Sequence, residues 1–272
     1  MTDSVAAAKL AVYIVLAQPA LYCLFKHGKT GFLGWFYVQL FCVLRIVTGG
    51  VGLHNSSSST GSIILNSIGL SPLLLAASGI LHEARRATNP RLNRKLDLFL
   101  EIQYHALMGV AMTLIIVAVI NLPKGNSVET MKTLLKVASA LVALSWVLLI
   151  IWALWSLAKS RGSSMTGHGP AMSGGKLLLN GVFVSIPFSG LRLAYAIAFL
   201  QLRILDPESG FLTSKAVDVC LNVVPEMLAT VILLYVGLKT RSLKHEIKKM
   251  DDSLPVHQGY EMPRHDKQQE RQ

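Results

Sequence analysis

Residues 214–238 read SKAVDVCLNVVPEMLATVILLYVGL, and this stretch decides the fold. It is long and apolar enough to cross a bilayer, which takes about 20 residues of α-helix. It nevertheless carries Asp218, Asn222 and Glu226, which a helix places on one face because they are four residues apart. A charge near the bilayer centre costs roughly 2.5 to 3.5 kcal/mol on insertion scales. We therefore expect this face to point into a helical bundle.

The composition indicates an integral membrane protein. Of the 272 residues, 52% are hydrophobic and only 15% are charged, whereas soluble domains average about 25% charged residues. The net charge is +11, but the basic residues flank the apolar runs, as membrane topology and anionic headgroups require. We expect the bilayer as a partner and exclude nucleic acid. The cysteines, Cys23, Cys42 and Cys220, lie inside apolar runs and form no disulfide or zinc pattern.

Seven apolar runs follow one another along the chain. The first lacks the positive n-region of a signal peptide and exceeds the length of its apolar core, so we count it as a span. The predicted spans are residues 5–25, 31–53, 63–81, 96–121, 134–157, 177–202 and 214–238. Most lysines and arginines follow spans one, three, five and seven, which places those connections in the cytosol. The prediction is an all-α bundle of seven transmembrane helices with a lumenal or extracellular N-terminus and a cytosolic C-terminus.

Two regions follow from this pattern. Residues 1–241 form the seven-helix domain, and residues 242–272 are predicted to be a polar, disordered cytosolic tail. Asn55 begins a glycosylation sequon in the loop predicted to be lumenal. The most basic connection is predicted after the third span, and it contains Arg85, Arg86, Arg91, Arg94 and Lys95.

Several charged residues lie at similar predicted depths. Arg45, Arg192 and Asp218 fall in the outer halves of their spans, while Asn222 and Glu226 lie near the middle. We expect a buried, charge-balanced network among them. The arginines either pair with the acids, in which case they serve helix packing, or bind a carboxylate of a ligand.

A second group lies closer to the cytosol. Glu101 and His105 are one turn apart on the fourth span, next to Tyr104. They form a second site, the floor of the first site, or a local hydrogen bond. A metal site needs further ligands that the sequence does not supply, and we predict no metal.

Short motifs resemble those of a fungal heptahelical membrane family of largely unknown function, which includes the membrane-bound terpene cyclases of ascochlorin and ascofuranone biosynthesis. The resemblance covers most of the chain through about Arg241. It is carried by Gly34-Trp35, Arg45-Ile46, Leu70-Ser71-Pro72-Leu73-Leu74, Pro187-Phe188, Leu191-Arg192-Leu193-Ala194-Tyr195 and Pro225-Glu226.

The resemblance implies a cyclase, without cofactor, for an epoxidised or olefinic farnesyl chain on an aromatic acceptor, and we expect it in the endoplasmic reticulum membrane. No nucleotide-binding loop, metalloprotease motif or hydrolase elbow is present. Protonation of an epoxide or alkene needs a carboxylic acid that its apolar environment keeps neutral. Glu226 is the first candidate and Asp218 the second, with Arg45 or Arg192 holding the other acid ionised. The rings of Tyr104 and Tyr195 would stabilise carbocations.

Two other classes of membrane protein, receptors and transporters, are compatible with the same residues. A heptahelical receptor would use the charged face as a ligand pocket. A transporter would use it as a substrate path, although the two halves of the chain show no convincing internal repeat.

Overall fold

The computed structural model describes residues 4–54, 69–89, 92–121, 128–162, 169–205 and 210–253, and all regular elements in these ranges are helices. The helices are α1 (Ser4–His54), α2 (Leu70–Thr88), α3 (Arg94–Asn121), α4 (Val128–Gly162), α5 (Pro170–Leu205), a short turn α6 (Gly210–Thr213), α7 (Lys215–Lys239) and α8 (Leu243–Ser253).

The first helix, α1, is a hairpin of two limbs. Its backbone breaks at Gly28, where φ is 58° and ψ is −149°, a conformation that essentially only glycine adopts. The limbs then run back along each other. Gly49 lies against Leu10, Gly52 lies against Ala6, and each limb is long enough to cross a bilayer.

The central helix is α2, because nearly all of its residues are buried. It packs most extensively against α1 and α5. At its crossing with α1, a Cβ added to Gly79 would lie 2.5 Å from the backbone nitrogen of Gly34. Membrane helices use small residues in this way to bring backbones together.

Among the described residues, five helices are long and apolar enough to span a membrane, namely α1, α3, α4, α5 and α7. These helices present large apolar side chains outward, as a bilayer-embedded bundle must. Examples of exposed side chains are Val15, Phe25, Phe99, Ile102, Val110, Ile151, Leu154, Val184 and Tyr235. The chain is therefore a multi-pass membrane protein.

The third predicted span differs most from the structure. Residues 55–68, including Asn55, lie outside the described residues, and α2 continues to Thr88, well past residue 81. Arg85 and Arg86 are consequently helical, and Arg94 and Lys95 already belong to α3. The helix continues because Arg85 finds a buried carboxylate partner, Asp97, on α3.

The last span contains a π-helical turn, Val219–Val223, which separates Asp218 from Glu226. The amide of Val224 bonds to the carbonyl of Val219, five residues back. Pro225, in the first turn of the following helix, has no N–H to continue the regular ladder. Such turns change which way a helix face points.

The start of the tail is helical where we predicted disorder. Leu243 and Ile247 of α8 are buried, Leu243 packs near Gly174, and Lys244 lies over the bend at Gly28. Two apolar side chains four residues apart give this polar segment a face to bury. Residues 254–272 lie outside the described residues.

Candidate functional site

The outer cluster consists of Tyr13, Arg45, Arg192 and Glu226, all buried. Three helices meet there, namely α1 through both of its limbs, α5 and α7. Arg45 donates from Nη2 to Oε2 of Glu226, and Arg192 donates from Nε to the same oxygen over 3.1 Å. The Tyr13 hydroxyl donates to Oε1 over 2.8 Å. Both oxygens of the carboxylate therefore have donors.

Two guanidinium groups around one carboxylate give the outer cluster a surplus of positive charge. Arg45 also lies over the ring of Phe41, 5.3 Å from its centroid, and beside Gly69. Charge-assisted hydrogen bonds of this kind are shorter and stronger than those between neutral groups. The group thus resembles a buried salt-bridge network that joins α1, α5 and α7.

Asp218 forms a separate, part-buried group. Its Oδ2 pairs with Nζ of Lys9 at 3.1 Å, and its Oδ1 accepts bonds from the Asn222 amide at 2.6 Å and the Tyr195 hydroxyl at 3.3 Å. The sequence leaves open whether the two arginines pair with the acids or with a ligand. In the structure both arginines contact Glu226, and Asp218 pairs with Lys9 instead.

Sequence reasoning missed Lys9 and Tyr13 as members of these groups. A usable signal was present, because Lys9 is the lone charged residue of the first apolar run and Tyr13 lies one helical turn further on. A lone cation in a span needs a buried or interfacial partner.

At the other end of α2 lies the inner cluster, formed by Ser78, His82 and Arg85 of α2 with Asp97 and Glu101 of α3. Asp97 contacts His82 and pairs with Nη1 of Arg85 at 2.7 Å. Ser78 is nine residues beyond Gly69, the neighbour of Arg45, which is roughly 13 Å along a helix. The inner cluster is therefore a separate site and not the floor of the outer cluster.

Among the acids of the two clusters, Glu101 is the one for which the described residues show no ion pair with a lysine or arginine. Its side chain has 0% exposure, and Oε1 accepts a hydrogen bond from the Ser78 hydroxyl over 2.9 Å. Within the described ranges, Oε2 has no hydrogen-bond partner. Nδ1 of His105 is bonded to the backbone oxygen of Glu101 at 2.8 Å and lies 3.5 Å from Oε1. The Glu101 carboxyl group therefore has fewer hydrogen-bond donors than the Glu226 carboxylate.

A groove runs between α3 and α4, and the chain neighbour of Glu101, Leu100, lines it, although Glu101 itself does not. The groove encloses about 310 Å³. It is lined by Leu100, Gln103, Tyr104, Leu107, Leu148, Ile151, Trp152 and Trp155. The Tyr104 hydroxyl and the Trp152 indole nitrogen are buried without a hydrogen-bond partner in the described part of the chain. Several of its lining residues, including Ile151 and Trp155, are exposed on the outer surface of the bundle, so the groove opens sideways toward lipid.

A further buried group, which sequence reasoning did not single out, joins α1, α2 and α7. Glu83 contacts Nδ1 of His27 at 2.7 Å and accepts from the Trp35 indole at 3.0 Å. Nε2 of His27 lies 3.0 Å from the carbonyl oxygen of Gly237 and must carry the proton of that bond. All three side chains have 0% exposure. Glu83 was missed because it lay beyond the predicted end of its span, among basic residues.

The predicted site residues thus fall into three places. Glu226, Arg45 and Arg192 form one group, Asp218, Asn222 and Tyr195 a second, and Glu101, Tyr104 and His105 a third. Among the described residues, no group of three or more His, Cys, Asp or Glu side chains is placed to hold a metal ion.

Comparison with known proteins identifies a family. The model of a family described as Domain of unknown function (DUF7702) matches residues 1–243. Comparisons with curated proteins and with solved structures gave no match. The family match covers both clusters and all helices through α7, so this chain belongs to the DUF7702 family.

Proposed function

We propose that the protein crosses the membrane seven times, with the N-terminus outside and the C-terminus in the cytosol. The hairpin at Gly28 supports two crossings by α1, and α2 supplies a third inside the ring of apolar helices. The bend at Gly28, the end of α2, the start of α5 and α8 meet at one end of the bundle, where Lys244, Thr88 and Gly175 make contacts. Lys26, Lys29, Arg85, Lys159 and Lys176 belong to that end, as the positive-inside rule requires.

For the activity, we propose acid-initiated cyclisation of an olefinic or epoxidised prenyl chain, in the endoplasmic reticulum membrane. The observation that carries this proposal is Glu101, a fully buried carboxyl group that accepts a hydrogen bond from the Ser78 hydroxyl and has no lysine or arginine within ion-pair distance among the described residues. In this proposal the Glu101 carboxyl group carries the proton that a general acid donates.

Glu101 suits this role better than Glu226, our first candidate from the sequence. Glu226 accepts bonds from two arginines and a tyrosine, so both of its carboxylate oxygens are already bonded to groups on other helices. Asp218 is likewise held by Lys9 and is part-exposed. In the proposed mechanism both residues are charged anchors.

The groove between α3 and α4 is the proposed binding site of the prenyl chain. Tyr104 lines it and lies one helical turn from Glu101 on the same face. Trp152 and Trp155 contribute aromatic rings, which attract carbocations by roughly 0.5 to 2 kcal/mol each. Because the groove faces the bilayer, a polyprenyl chain enters it without passing through water.

In the proposed reaction, the O–H bond of Glu101 breaks and its proton moves to the epoxide oxygen or to a terminal alkene carbon. The C–O bond of the epoxide opens, or the alkene π pair is consumed, and a carbocation forms. Electrons of an internal double bond close the ring. Loss of a proton from the final cation to the Glu101 carboxylate restores the acid, so the product is an isomer of the substrate.

The test is turnover of a prenylated epoxide by purified protein in lipid nanodiscs, with the product followed by chromatography and mass spectrometry. The expected product has an unchanged mass and a new retention time. Glu101→Gln should lower the rate by at least a hundredfold, since general acid catalysis is worth about 10² to 10⁴.

The matched control is Glu129→Gln, the same change on an exposed acid of α4 that pairs with Lys132, and it should keep the full rate. Full turnover by folded Glu101→Gln would remove Glu101 as the acid. Absence of any product from wild-type protein with a panel of prenyl epoxides and olefins would overturn the cyclase proposal and favour a receptor or transporter.

A further inference from the structure

A polar cavity lies directly beside the groove at its cytosolic end. This head pocket encloses about 320 Å³. Its polar lining residues are Arg85, Thr88, Asn89, Asn93, Asp97, Ser156, Lys159 and Ser160. Leu100 and Trp155 line both the head pocket and the groove, so the two cavities adjoin, and the head pocket is the more polar of the two.

The head pocket has a surplus of positive charge. Arg85 pairs with Asp97 at 2.7 Å, so these two charges largely offset each other. Lys159 also lines the pocket, and within the described ranges no ion pair of Lys159 occurs. The side-chain nitrogen of Asn89 is buried and has no hydrogen-bond partner there. The pocket thus offers a cation and an unused N–H donor.

Arg85 connects the two cavities physically. Its guanidinium group lies 4.8 Å from the ring centroid of Trp152 and 5.9 Å from that of Trp155, and both rings line the groove. Arg85 is nine-tenths buried. A molecule with its chain against these rings therefore has its polar end beside Arg85, Asn89 and Lys159.

We propose that the substrate is an anionic amphiphile whose oxyanion, a carboxylate or phosphate, occupies the head pocket while its chain lies in the groove. This inference rests on the proposed function only in naming the amphiphile as a substrate. Lysine and arginine bind such oxyanions by charge-assisted hydrogen bonds. A carboxylate or phosphate accepts from the Asn89 amide and also balances the charge of Lys159, whereas a neutral head can only accept hydrogen bonds.

Binding is measured by quenching of tryptophan fluorescence with brominated twelve-carbon chains in zwitterionic nanodiscs. The probes are 12-bromododecanoate, 12-bromododecyl phosphate and the neutral 12-bromododecanol. We expect at least one anionic probe to quench at concentrations about tenfold lower than the alcohol. Trp155→Phe should reduce the amplitude of quenching, because Trp155 contacts both cavities.

Variants separate a specific pocket from general surface charge. Lys159→Gln should weaken binding of the anionic probe about tenfold and leave binding of the alcohol unchanged. The matched control is Lys176→Gln, at the same end of the bundle but lining a different cavity, and it should leave both probes unaffected. Equal affinities for all three probes, or equal losses in the two lysine variants, would overturn the proposal.

A turnover experiment separates the two proposals. Prenyl epoxides bearing a carboxylate are compared with their methyl esters. Faster turnover of the acids, lost in Lys159→Gln, supports the head pocket as a substrate site. Equal turnover of acids and esters overturns the anionic substrate but leaves the cyclase intact. Selective binding of anionic probes without turnover of either epoxide supports the head pocket and overturns the cyclase.

Discussion

Glu226 and Glu101 are buried glutamates at opposite ends of the same bundle, and their surroundings differ in kind. Glu226 has 3% exposure and is contacted by Arg45, Arg192 and Tyr13. Glu101 has 0% exposure, and among the described residues its carboxyl group accepts a hydrogen bond from Ser78 and lies 3.5 Å from His105, with no lysine or arginine paired to it. Burial alone therefore does not give a glutamate its role. The donors around it decide whether it stays charged or keeps its proton.

The surroundings of the two glutamates predict different roles, one in the stability of the fold and the other in chemistry. A carboxylate bonded by two cations from other helices joins those helices, and its loss leaves positive charge stranded in the interior. A carboxylic acid with few bonds contributes little to the fold, but it has a proton to give. We therefore expect substitutions at Glu226 to act mainly on folding and substitutions at Glu101 mainly on chemistry.

The largest expected effect is that of Glu226→Gln on stability. Removing one partner of a buried ion pair typically costs about 3 to 5 kcal/mol, because the remaining charges are left uncompensated. Glu101→Gln keeps a group that accepts from Ser78, so it should change the free energy of unfolding by no more than about 1.5 kcal/mol. Unfolding of both variants in mixed micelles, followed by helical circular dichroism, measures the difference. Equal losses would erase the distinction between the two acids.

The second prediction concerns the two arginines of the outer cluster. Arg192→Leu alone should be strongly destabilising because it removes a donor from Glu226. Adding Glu226→Gln should cost less than it does in the wild-type background, with a coupling free energy of about 0.5 to 3 kcal/mol.

A complete double-mutant cycle gives this coupling. The matched cycle pairs Arg192→Leu with Glu101→Gln, which lies in the other cluster, and should be additive. Additivity in both cycles would show that Arg192 and Glu226 do not act as a pair.

The smallest expected effect belongs to the part-exposed pair of Lys9 and Asp218, whose side chains are 21% and 28% exposed. Ion pairs with access to solvent are worth about 0 to 1 kcal/mol. Lys9→Gln and Asp218→Asn should each change the free energy of unfolding within that range. A loss as large as that of Glu226→Gln would place Asp218 in the main network and weaken the contrast with the buried acid.

The sequence predicted most of the spans because each apolar run is long and continuous. It also predicted that Arg45, Arg192 and Glu226 lie at similar depths in the membrane, since depth follows from position along a span. It did not predict which cation meets which acid. That choice depends on helix rotation, and the π turn at Val219–Val223 alters the rotation of α7 in a way that no apolar pattern shows.

The third span was harder to predict for a related physical reason. Ser78, His82, Glu83 and Arg85 make the second half of α2 polar, so hydropathy indicates that the membrane segment ends early. Their partners, among them His27 and Asp97, are distant in sequence or lie on the next helix. A contact between polar side chains leaves no periodic signal in either segment, and the groove likewise depends on how α3 and α4 pack.

The polarity of α2 bears on how the protein enters the membrane during synthesis. On the proposed topology, α2 must cross the bilayer, yet among the described residues it is not one of the five helices apolar enough to do so by composition. The residues that contact its polar side chains lie both before and after it in the chain, since His27 and Trp35 precede it and Asp97 and Glu101 follow. We therefore expect α2 to be stably inserted only after α3 has been synthesised.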